Sequence, residues 1–260
     1  MEAENPSQLI QMATAYWGSA TLIAAVRLDV FSFTDERAVG STELATKLGL
    51  DEAATDALLA GCVSLKLMSK VDDGYRNTSL SSDYLVNGKP GFLGPALLYN
   101  GDVYPLWGNL HEVIRQGHAT RSPDHYLGDD AERTRNFVYG MHHRALGIGR
   151  AVARVIDLTG CTKLADIGGG PGTYSALLTA QHPALRSDVL DLPGVVDIAS
   201  QIVHSMGAGD RVSCKPFDYY VDTLTESYDA ALISGVLHRE QPERVQQILK
   251  NVGDALVPGG

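Results

Sequence analysis

Apolar residues recur at helical spacing close to the start of the chain. The intervals of i, i+3, i+4 and i+7 predict one long helix with a single apolar stripe, formed by Leu9, Met12, Ala13, Tyr16, Trp17, Ala20, Ile23 and Ala24. The segment from Asn5 to Val26 carries no charge and has the length of a membrane span. Its polar residues and its periodicity argue against a span. We therefore expect the stripe to pack on a partner subunit or within its own domain, and we expect no membrane contact.

A second pattern, over residues 41–70, predicts two helices joined by a tight turn. Ser41 is predicted to cap the first helix, and Gly49 is predicted to end it. The next segment, VDDGYRNT, predicts a β-hairpin that turns at Asp73-Gly74. Two helices followed by a hairpin are typical of a winged helix.

A winged helix raises the hypothesis of DNA binding. The candidate recognition helix, however, begins with Asp51, Glu52 and Asp56, whose carboxylates repel phosphate. The 260-residue chain has a formal net charge of −10, whereas a nucleic-acid-binding protein needs a basic surface. We therefore expect no nucleic-acid partner, and a role for this domain in dimerisation or in shaping a substrate site.

The segment from residue 100 to 149 is predicted to be helical with interruptions and contains many Gly, Pro and His residues. Phe137 and Met141 are four positions apart and share a helix face. On spacing alone such a pair belongs more often to a core than to a ligand pocket. His142 and His143 follow, and we expect at most one of these neighbours to face a given site.

The pattern changes in residues 164–174, LADIGGGPGTY, where an apolar run ends in Asp166 and Gly168, Gly170 and Gly172 follow. A strand, a glycine turn and a helix form the nucleotide site of doubly wound α/β domains. The dinucleotide fingerprint requires a sixth-position glycine, and Thr173 occupies that position. Asp166 instead favours a ligand with a cationic end, such as S-adenosylmethionine (SAM). The alternative is a glycine loop without a ligand.

Asp191 ends the next predicted strand, residues 187–190, and lies 25 residues after Asp166. In a βαβ unit an acid at this position accepts hydrogen bonds from the two hydroxyls of a ribose. The alternative is an Asp that caps the helix beginning near Pro193. We favour the ribose interpretation because the spacing matches a βαβ unit.

Two further strands are predicted at residues 211–214 and 228–233. Asp218 and Tyr219 follow the first of them, where an adenine could pack and its amino group could be accepted. His238 comes shortly after the second. From position alone, a catalytic role and a structural role for His238 are equally compatible with the sequence.

The chain stops at residues 257–260, VPGG, a turn signal that normally leads into another strand. A parallel sheet of four strands that ended there would have an unpaired edge. We therefore expect the sequence to be a fragment or to have lost C-terminal strands.

The three cysteines, Cys62, Cys161 and Cys214, are far apart in the sequence and lack metal-ligand spacing. The N-terminus carries acids where a signal peptide would be basic. We therefore expect no metal site and a reducing, cytoplasmic location.

Five segments resemble the SAM-dependent O-methyltransferases of the plant caffeate/isoflavone and acetylserotonin type, in their bacterial branch. LADIGGGPGTYS resembles the first SAM motif of this family, and VLDLPGVV resembles the second. KPFDYY resembles the segment that flanks adenine, and LISGVLHRE resembles the segment that ends in the catalytic histidine. FVYGM resembles the substrate-lining helix. The resemblance extends over nearly the whole chain.

The resemblance implies a fold class of two parts. A mainly helical, winged-helix dimerisation domain comes first, over residues 1–100. Residues 101–260 then form linker helices and a Rossmann-like α/β methyltransferase domain that is incomplete at its C-terminus. The resemblance also implies a homodimer that uses SAM.

The expected cofactor site consists of acids, glycines and their neighbours: Asp166, Gly168, Gly170, Gly172, Asp191, Asp218, Tyr219 and Ser234. The resemblance assigns substrate contacts to Phe137 and Met141, and Trp107 and Tyr104 extend an apolar, aromatic pocket. His238 is implied to be the general base, since an imidazole is suited to take the proton of a phenol, whose pKa is near 10. The implied reaction methylates a hydroxyl of a small phenolic or polyketide-like molecule.

Two residues depart from the family pattern. Arg239 and Glu240 follow His238, where the family often has Asp-Trp. The acids that orient the histidine in the family would lie beyond residue 260. One alternative function is a SAM-binding protein that uses the cofactor structurally without methyl transfer, which the presence of His238 opposes. Another is an inactive fragment or a regulatory, dimerising protein, which the expected lack of C-terminal strands favours.

Overall fold

The computed structural model describes residues 5–117 and 130–260. The chain forms two compact units, Met1–His111 and Glu112–Gly260. The boundary predicted at residue 100 falls inside the helix Gly94–Gly108, and the first unit continues to His111.

The first unit is mainly helical and contains one β-hairpin. Its helices are α1 (Ser7–Thr14), α2 (Tyr16–Arg27), α3 (Val30–Phe33), α4 (Ser41–Leu48), α5 (Glu52–Ser64), α6 (Ser79–Tyr84) and α7 (Gly94–Gly108), and the strands are β1 (Met68–Val71) and β2 (Gly74–Asn77). Helix α8 (Leu110–Gln116) follows at the boundary. Apolar side chains of α2–α5 and the hairpin form one core around Phe31, Leu44 and Leu59. The predicted helix–helix–hairpin order is confirmed.

The N-terminal stripe lies on two helices and not on the single predicted one. Ala15 separates α1 from α2, and its N–H donates to the carbonyl of Met12, three residues back. This hydrogen bond spans three residues, as in a 3-10 turn, and it locally replaces the four-residue hydrogen bonds of the α-helix. Leu9, Met12 and Trp17 are 69%, 76% and 61% exposed, so much of the stripe remains uncovered in one copy of the chain.

Two local predictions in this unit are corrected. Gly40, and not Ser41, occupies the N-cap position of α4, and no side chain in the described part of the chain caps this helix by a hydrogen bond. The hairpin turns at Asp72 and Asp73, one residue earlier than predicted, because Gly74 already pairs with Val71. A Cβ on Gly74 would lie 3.1 Å from the backbone nitrogen of Val39, so the glycine serves a close backbone approach.

The second unit is a four-stranded parallel sheet with helices on both faces. Its elements are α9 (Ala131–Val155), β3 (Lys163–Ile167), α10 (Thr173–Gln181), β4 (Arg186–Asp191), α11 (Pro193–Ser205), β5 (Val212–Pro216), β6 (Ala230–Ile233) and α12 (Pro242–Ala255). The strand order is β5-β4-β3-β6. This arrangement confirms the predicted α/β class.

The side chains of β3 alternate between the two faces, as expected for a strand. Leu164 packs with Leu178 of α10 on one face. Ala165 and Ile167 pack with Ile248 of α12 on the other. Burial on both faces explains the continuous apolar run that the sequence shows before Asp166.

Candidate active site

The carboxyl ends of the parallel strands lie along one edge of the sheet. Ile167 of β3 is in register with Leu190 of β4 and with Ile233 of β6. Asp191 pairs in turn with Pro216 of β5. The predicted cofactor residues beyond β3 all stand at these strand ends: Gly168, Gly170, Gly172, Asp191, Asp218, Tyr219 and Ser234. The fold therefore brings them to the edge at which ligands bind in open α/β sheets.

The loop between β3 and α10 takes its shape from three glycines. Gly168, Gly170 and Gly172 have φ values of 61°, 53° and 68°, in the left-handed region that costs other residues about 1–2 kcal/mol. A Cβ on Gly168 would lie 2.5 Å from Val236, whereas a Cβ on Gly170 would meet no atom within 4 Å. The loop is thus tightly packed at its first glycine and open at its second, where a ligand can approach the backbone.

Asp166 lies beneath this loop and is only 1% exposed. Its Oδ2 accepts a hydrogen bond of 2.6 Å from the hydroxyl of Ser175, which lies 2.8 Å from the Ser187 hydroxyl. Burial, opposed by the Ser175 hydrogen bond and assisted by the charge of Asp191, raises the pKa of Asp166 to about 6. The carboxyl group is therefore enclosed by the protein and hydrogen-bonded within it.

Asp191 is anchored by backbone donors on both carboxylate oxygens. Gly170 N–H donates to Oδ2 over 2.7 Å, and Leu192 N–H donates to Oδ1 over 2.8 Å. Burial raises the pKa of Asp191, while these two N–H groups and the charge of Arg239 oppose the rise. The side chain is thereby fixed next to the open part of the glycine loop.

Asp218 and Tyr219 stand directly after Phe217 at the end of β5. Asp218 Oδ1 accepts from the N–H of Tyr220 over 2.9 Å, which holds the turn. The Tyr219 hydroxyl donates to Oε1 of Glu240 over 3.0 Å. Burial, together with Glu240, raises the pKa of Tyr219, so the phenol stays a neutral donor.

His238 lies in a short 3-10 turn, Leu237–Arg239, that follows β6. Its side chain is exposed, as is Ser234 at the start of the same segment. The turn comes close to the glycine loop, since Val236 is the residue against which Gly168 packs. An imidazole in this position is accessible to a substrate at the sheet edge.

Helix α9 carries two of the predicted substrate residues, Phe137 and Met141, and also a contact of His142 that the sequence did not predict. Phe137 is partly buried against Val195 and Ile202 of α11, and Met141 is half-buried one turn further along. Nδ1 of His142 lies 2.8 Å from the Thr173 hydroxyl at the start of α10. Burial and the neighbouring His143 lower the pKa of His142 to about 4, so this imidazole is neutral.

The remaining predicted substrate residue, Trp107, belongs to the first unit. It lies near the end of α7 and is 69% exposed, and Tyr104 of the same helix is 39% exposed. Their predicted contact with substrate stays a prediction.

The chemistry of the sheet edge fits SAM. Its acids, Asp191 and Asp218, can accept hydrogen bonds, as a ribose diol and an adenine amino group require. The left-handed glycine loop has room for a ligand at Gly170. In residues 5–117 and 130–260, no group of three or more His, Cys, Asp or Glu side chains is arranged to hold a metal ion.

Comparison with known families identifies the chain. The model of the O-methyltransferase domain matches residues 107–260, and the model of the O-methyltransferase dimerisation domain matches residues 10–87. The chain belongs to the O-methyltransferase family. It is a SAM-dependent methyltransferase with a helical dimerisation domain and an α/β catalytic domain.

Individual relatives agree with this assignment. The chain is 30% identical over 259 residues to a 3-hydroxy-5-methyl-1-naphthoate 3-O-methyltransferase of Streptomyces sahachiroi, covering 98% of this chain and 75% of that protein. It is 32% identical over 275 residues to the acetylserotonin O-methyltransferase of Bos taurus, covering 100% and 79%. The structure of human N-acetylserotonin methyltransferase in complex with SAM matches with a TM-score of 0.83 at 26% identity, covering 100% of this chain and 79% of that one.

Proposed function

We propose that the protein transfers a methyl group from SAM to a hydroxyl of a small aromatic molecule, phenolic or polyketide-like, with His238 as the general base. The observation that carries this proposal is the common sheet edge, at which the glycine loop, Asp191, Asp218 and the turn of His238 meet. The family supplies the reaction class.

Each side chain at this edge has a proposed part in binding SAM. Asp191 accepts hydrogen bonds from the ribose hydroxyls, and Asp218 and Tyr219 contact the adenine. The glycine loop lies against the methionine end, with Ser234 touching the cofactor from the end of β6. Asp166 favours the cationic end by its charge, since its buried side chain is 1% exposed and cannot itself reach a ligand.

The main chemical task of the protein is then to remove the proton of the acceptor hydroxyl. SAM supplies a methyl group on a positively charged sulfur, which is already activated for in-line displacement. His238 takes the proton of the acceptor hydroxyl as its oxygen becomes the nucleophile, a general-base contribution of about 10²–10⁴ in rate. The sheet edge aligns the two reactants, which lowers the entropic part of the barrier.

The proposed acceptor class rests on the predicted pocket residues and on the relatives. Phe137 and Met141 of α9 are apolar side chains, as contact with a flat ring system requires. Two relatives are named for comparable chemistry, one as a hydroxynaphthoate O-methyltransferase and one as an 8-O-methyl transferase of tetracenomycin polyketide synthesis.

We propose further that the protein is a cytoplasmic homodimer. The segment Ser7–Arg27 is long and apolar enough to cross a membrane. Core helices and signal sequences meet the same criteria. A dimer contact is the better explanation of its apolar stripe because the dimerisation-domain match begins at residue 10. The three cysteines are free, in keeping with a reducing compartment.

An acceptor screen with methyl-labelled SAM tests the proposal. The panel contains hydroxynaphthoates, N-acetylserotonin and phenolic polyketide aromatics, each beside an analogue whose hydroxyl is already methylated. We expect label to enter at least one free-hydroxyl compound and none of the blocked analogues. Binding of SAM without methyl transfer to any member of the panel would contradict the proposal.

A further inference from the structure

Glu240 joins two loops of the sheet edge through one oxygen atom. Its Oε1 accepts from the hydroxyl of Tyr219 over 3.0 Å and from the hydroxyl of Tyr220 over 2.8 Å. The tyrosines follow β5, whereas Glu240 directly follows the 3-10 turn that carries His238. The two rings lie 4.8 Å apart between centroids with an interplanar angle of 39°. A single carboxylate thus connects the loop after β5, which carries Tyr219 and Tyr220, to the 3-10 turn that carries His238.

Arg239 and Arg244 add to this arrangement. Nη2 of Arg239 donates to the Tyr219 hydroxyl over 3.3 Å, so that hydroxyl has both a donor and an acceptor for neighbours. The guanidinium of Arg244 lies 4.9 Å from the ring centre of Tyr220 and donates to its carbonyl over 3.4 Å. The hydroxyls of both rings are thus hydrogen-bonded to Glu240, and the ring and carbonyl of Tyr220 also contact Arg244, which restricts the rotamers of both tyrosines.

The ring of Tyr219 also borders the glycine loop. A Cβ on Gly168 would lie 3.9 Å from Cε1 of Tyr219. The positive charge of Arg239 lowers the pKa of Asp191, so the cluster also interacts electrostatically with the predicted ribose-binding acid. Side chains that hold a binding wall in place before the ligand arrives reduce the entropic cost of binding.

We propose that Glu240 is a positioning residue for SAM, which holds Tyr219 in place as one wall of the adenosine site and couples that wall to the turn of His238. This inference rests on the proposed function. It gives a role to the position at which this chain departs from the Asp-Trp pattern of similar sequences.

The test compares E240A, E240Q and wild type by calorimetric SAM titration and by steady-state kinetics. In E240A we expect the Kd and the KM for SAM to rise about tenfold, the effect of a lost charge-assisted hydrogen bond, with kcat changed less than about threefold. E240Q should stay within about threefold of wild type, because its amide oxygen can accept from both hydroxyls. Glu243 in the first turn of α12 is exposed and provides the matched control E243A, which should behave as wild type.

A second variant separates positioning from loss of fold. Y219F removes only the hydroxyl, and the E240A/Y219F double variant should bind SAM less weakly than the sum of the two single effects, since both changes break the bond between Tyr219 and Glu240. Unchanged SAM affinity in E240A, failure of E240Q to restore affinity, or additive effects in the double variant would each overturn the proposal.

Failure of the proposed function gives a different result. If wild type binds SAM but methylates no hydroxyl, the reaction assignment fails, while the Glu240 titrations still decide the positioning role. If wild type methylates an acceptor and E240A binds SAM normally, the positioning role alone is overturned.

Discussion

The backbone N–H of Gly170 donates to Oδ2 of Asp191 over 2.7 Å, and this bond links the loop after β3 to the residue that ends β4. The second oxygen of Asp191 accepts from Leu192 over 2.8 Å. Both oxygens are therefore oriented by the main chain, and each retains a free lone pair for a ligand hydroxyl. The proposed ribose contact is built into the fold before SAM binds.

Replacing Asp191 with Ala should weaken SAM binding at least about 10–100-fold, because even one hydrogen bond to a charged group contributes about 1.5–3 kcal/mol. Calorimetric titration of the purified variant measures the change. D197A on the exposed side of α11 is the matched control and should keep the wild-type Kd. A wild-type Kd in D191A would remove Asp191 from the site.

The glycine loop should respond unequally to single methyl groups. G168A is expected to destabilise the fold more than G170A, since both sites have positive φ but only Gly168 would clash, at 2.5 Å from Val236. Left-handed strain alone should cost G170A about 1–2 kcal/mol. Urea denaturation gives the unfolding free energies.

Gly147 of α9 provides the control for these glycine variants. A Cβ there meets nothing within 4 Å, and Ala is the better helix former. G147A should therefore match or exceed the stability of wild type by about 0.5–1 kcal/mol. Equal losses in G168A and G147A would contradict the steric argument.

The sequence predicts the fold of each unit well because local patterns carry that information. The apolar run before Asp166 and the left-handed glycines after it define β3, its turn and α10, and helix α10 begins at Thr173, directly after Gly172. Predictions fail where a distant segment decides the local geometry. Gly74 belongs to β2 and not to the turn, because the backbone near Val39 packs against it.

The candidate site shows the same division. The acids at strand ends are predictable from spacing, since parallel strands bring their carboxyl ends together. The contacts between Glu240 and Tyr219 and between His142 and Thr173 are not, because they join side chains 21 and 31 residues apart. Sequence alone marks Glu240 only as a departure from a pattern.

Asp166 should make stability fall as the pH rises from about 4 to about 6. Its pKa is raised from 3.8 to about 6 in the folded protein, so the native state holds a proton that the unfolded chain has already lost. The contribution is complete below pH 4 and is lost above pH 6. In total it amounts to about 3 kcal/mol at 1.36 kcal/mol per pKa unit.

The variant D166N lacks this titration. Its stability relative to wild type should therefore increase between pH 4 and pH 7 by that amount, as measured by urea denaturation at each pH. A difference between the two proteins that does not vary with pH would show that the Asp166 carboxyl titrates normally.

His142 should have the opposite effect. Burial and His143 lower its pKa from 6.5 to about 4 in the folded protein, so the unfolded chain gains a proton first as the pH falls. The stabilisation is complete above pH 6.5 and is lost as the pH falls toward 4. H142Q, measured in the same way, should remove this part of the pH dependence.

The partner residue separates the hydrogen bond from burial. T173V removes the hydroxyl that lies 2.8 Å from His142 and should cost about 1 kcal/mol, while the pH dependence of His142 persists because burial is its main cause. Loss of the pH dependence in T173V would assign the shifted pKa to the hydrogen bond.

The central claim, that His238 is the general base of a SAM-dependent methyl transfer, is tested most directly by the initial rate of labelled-methyl transfer in H238A at saturating SAM and acceptor. H238Q keeps a polar side chain of similar size without a basic nitrogen, and it should match H238A. We expect kcat to fall about 10²–10⁴-fold in both variants, with the Kd for SAM within about threefold of wild type. A kcat equal to that of wild type in H238A would contradict the account.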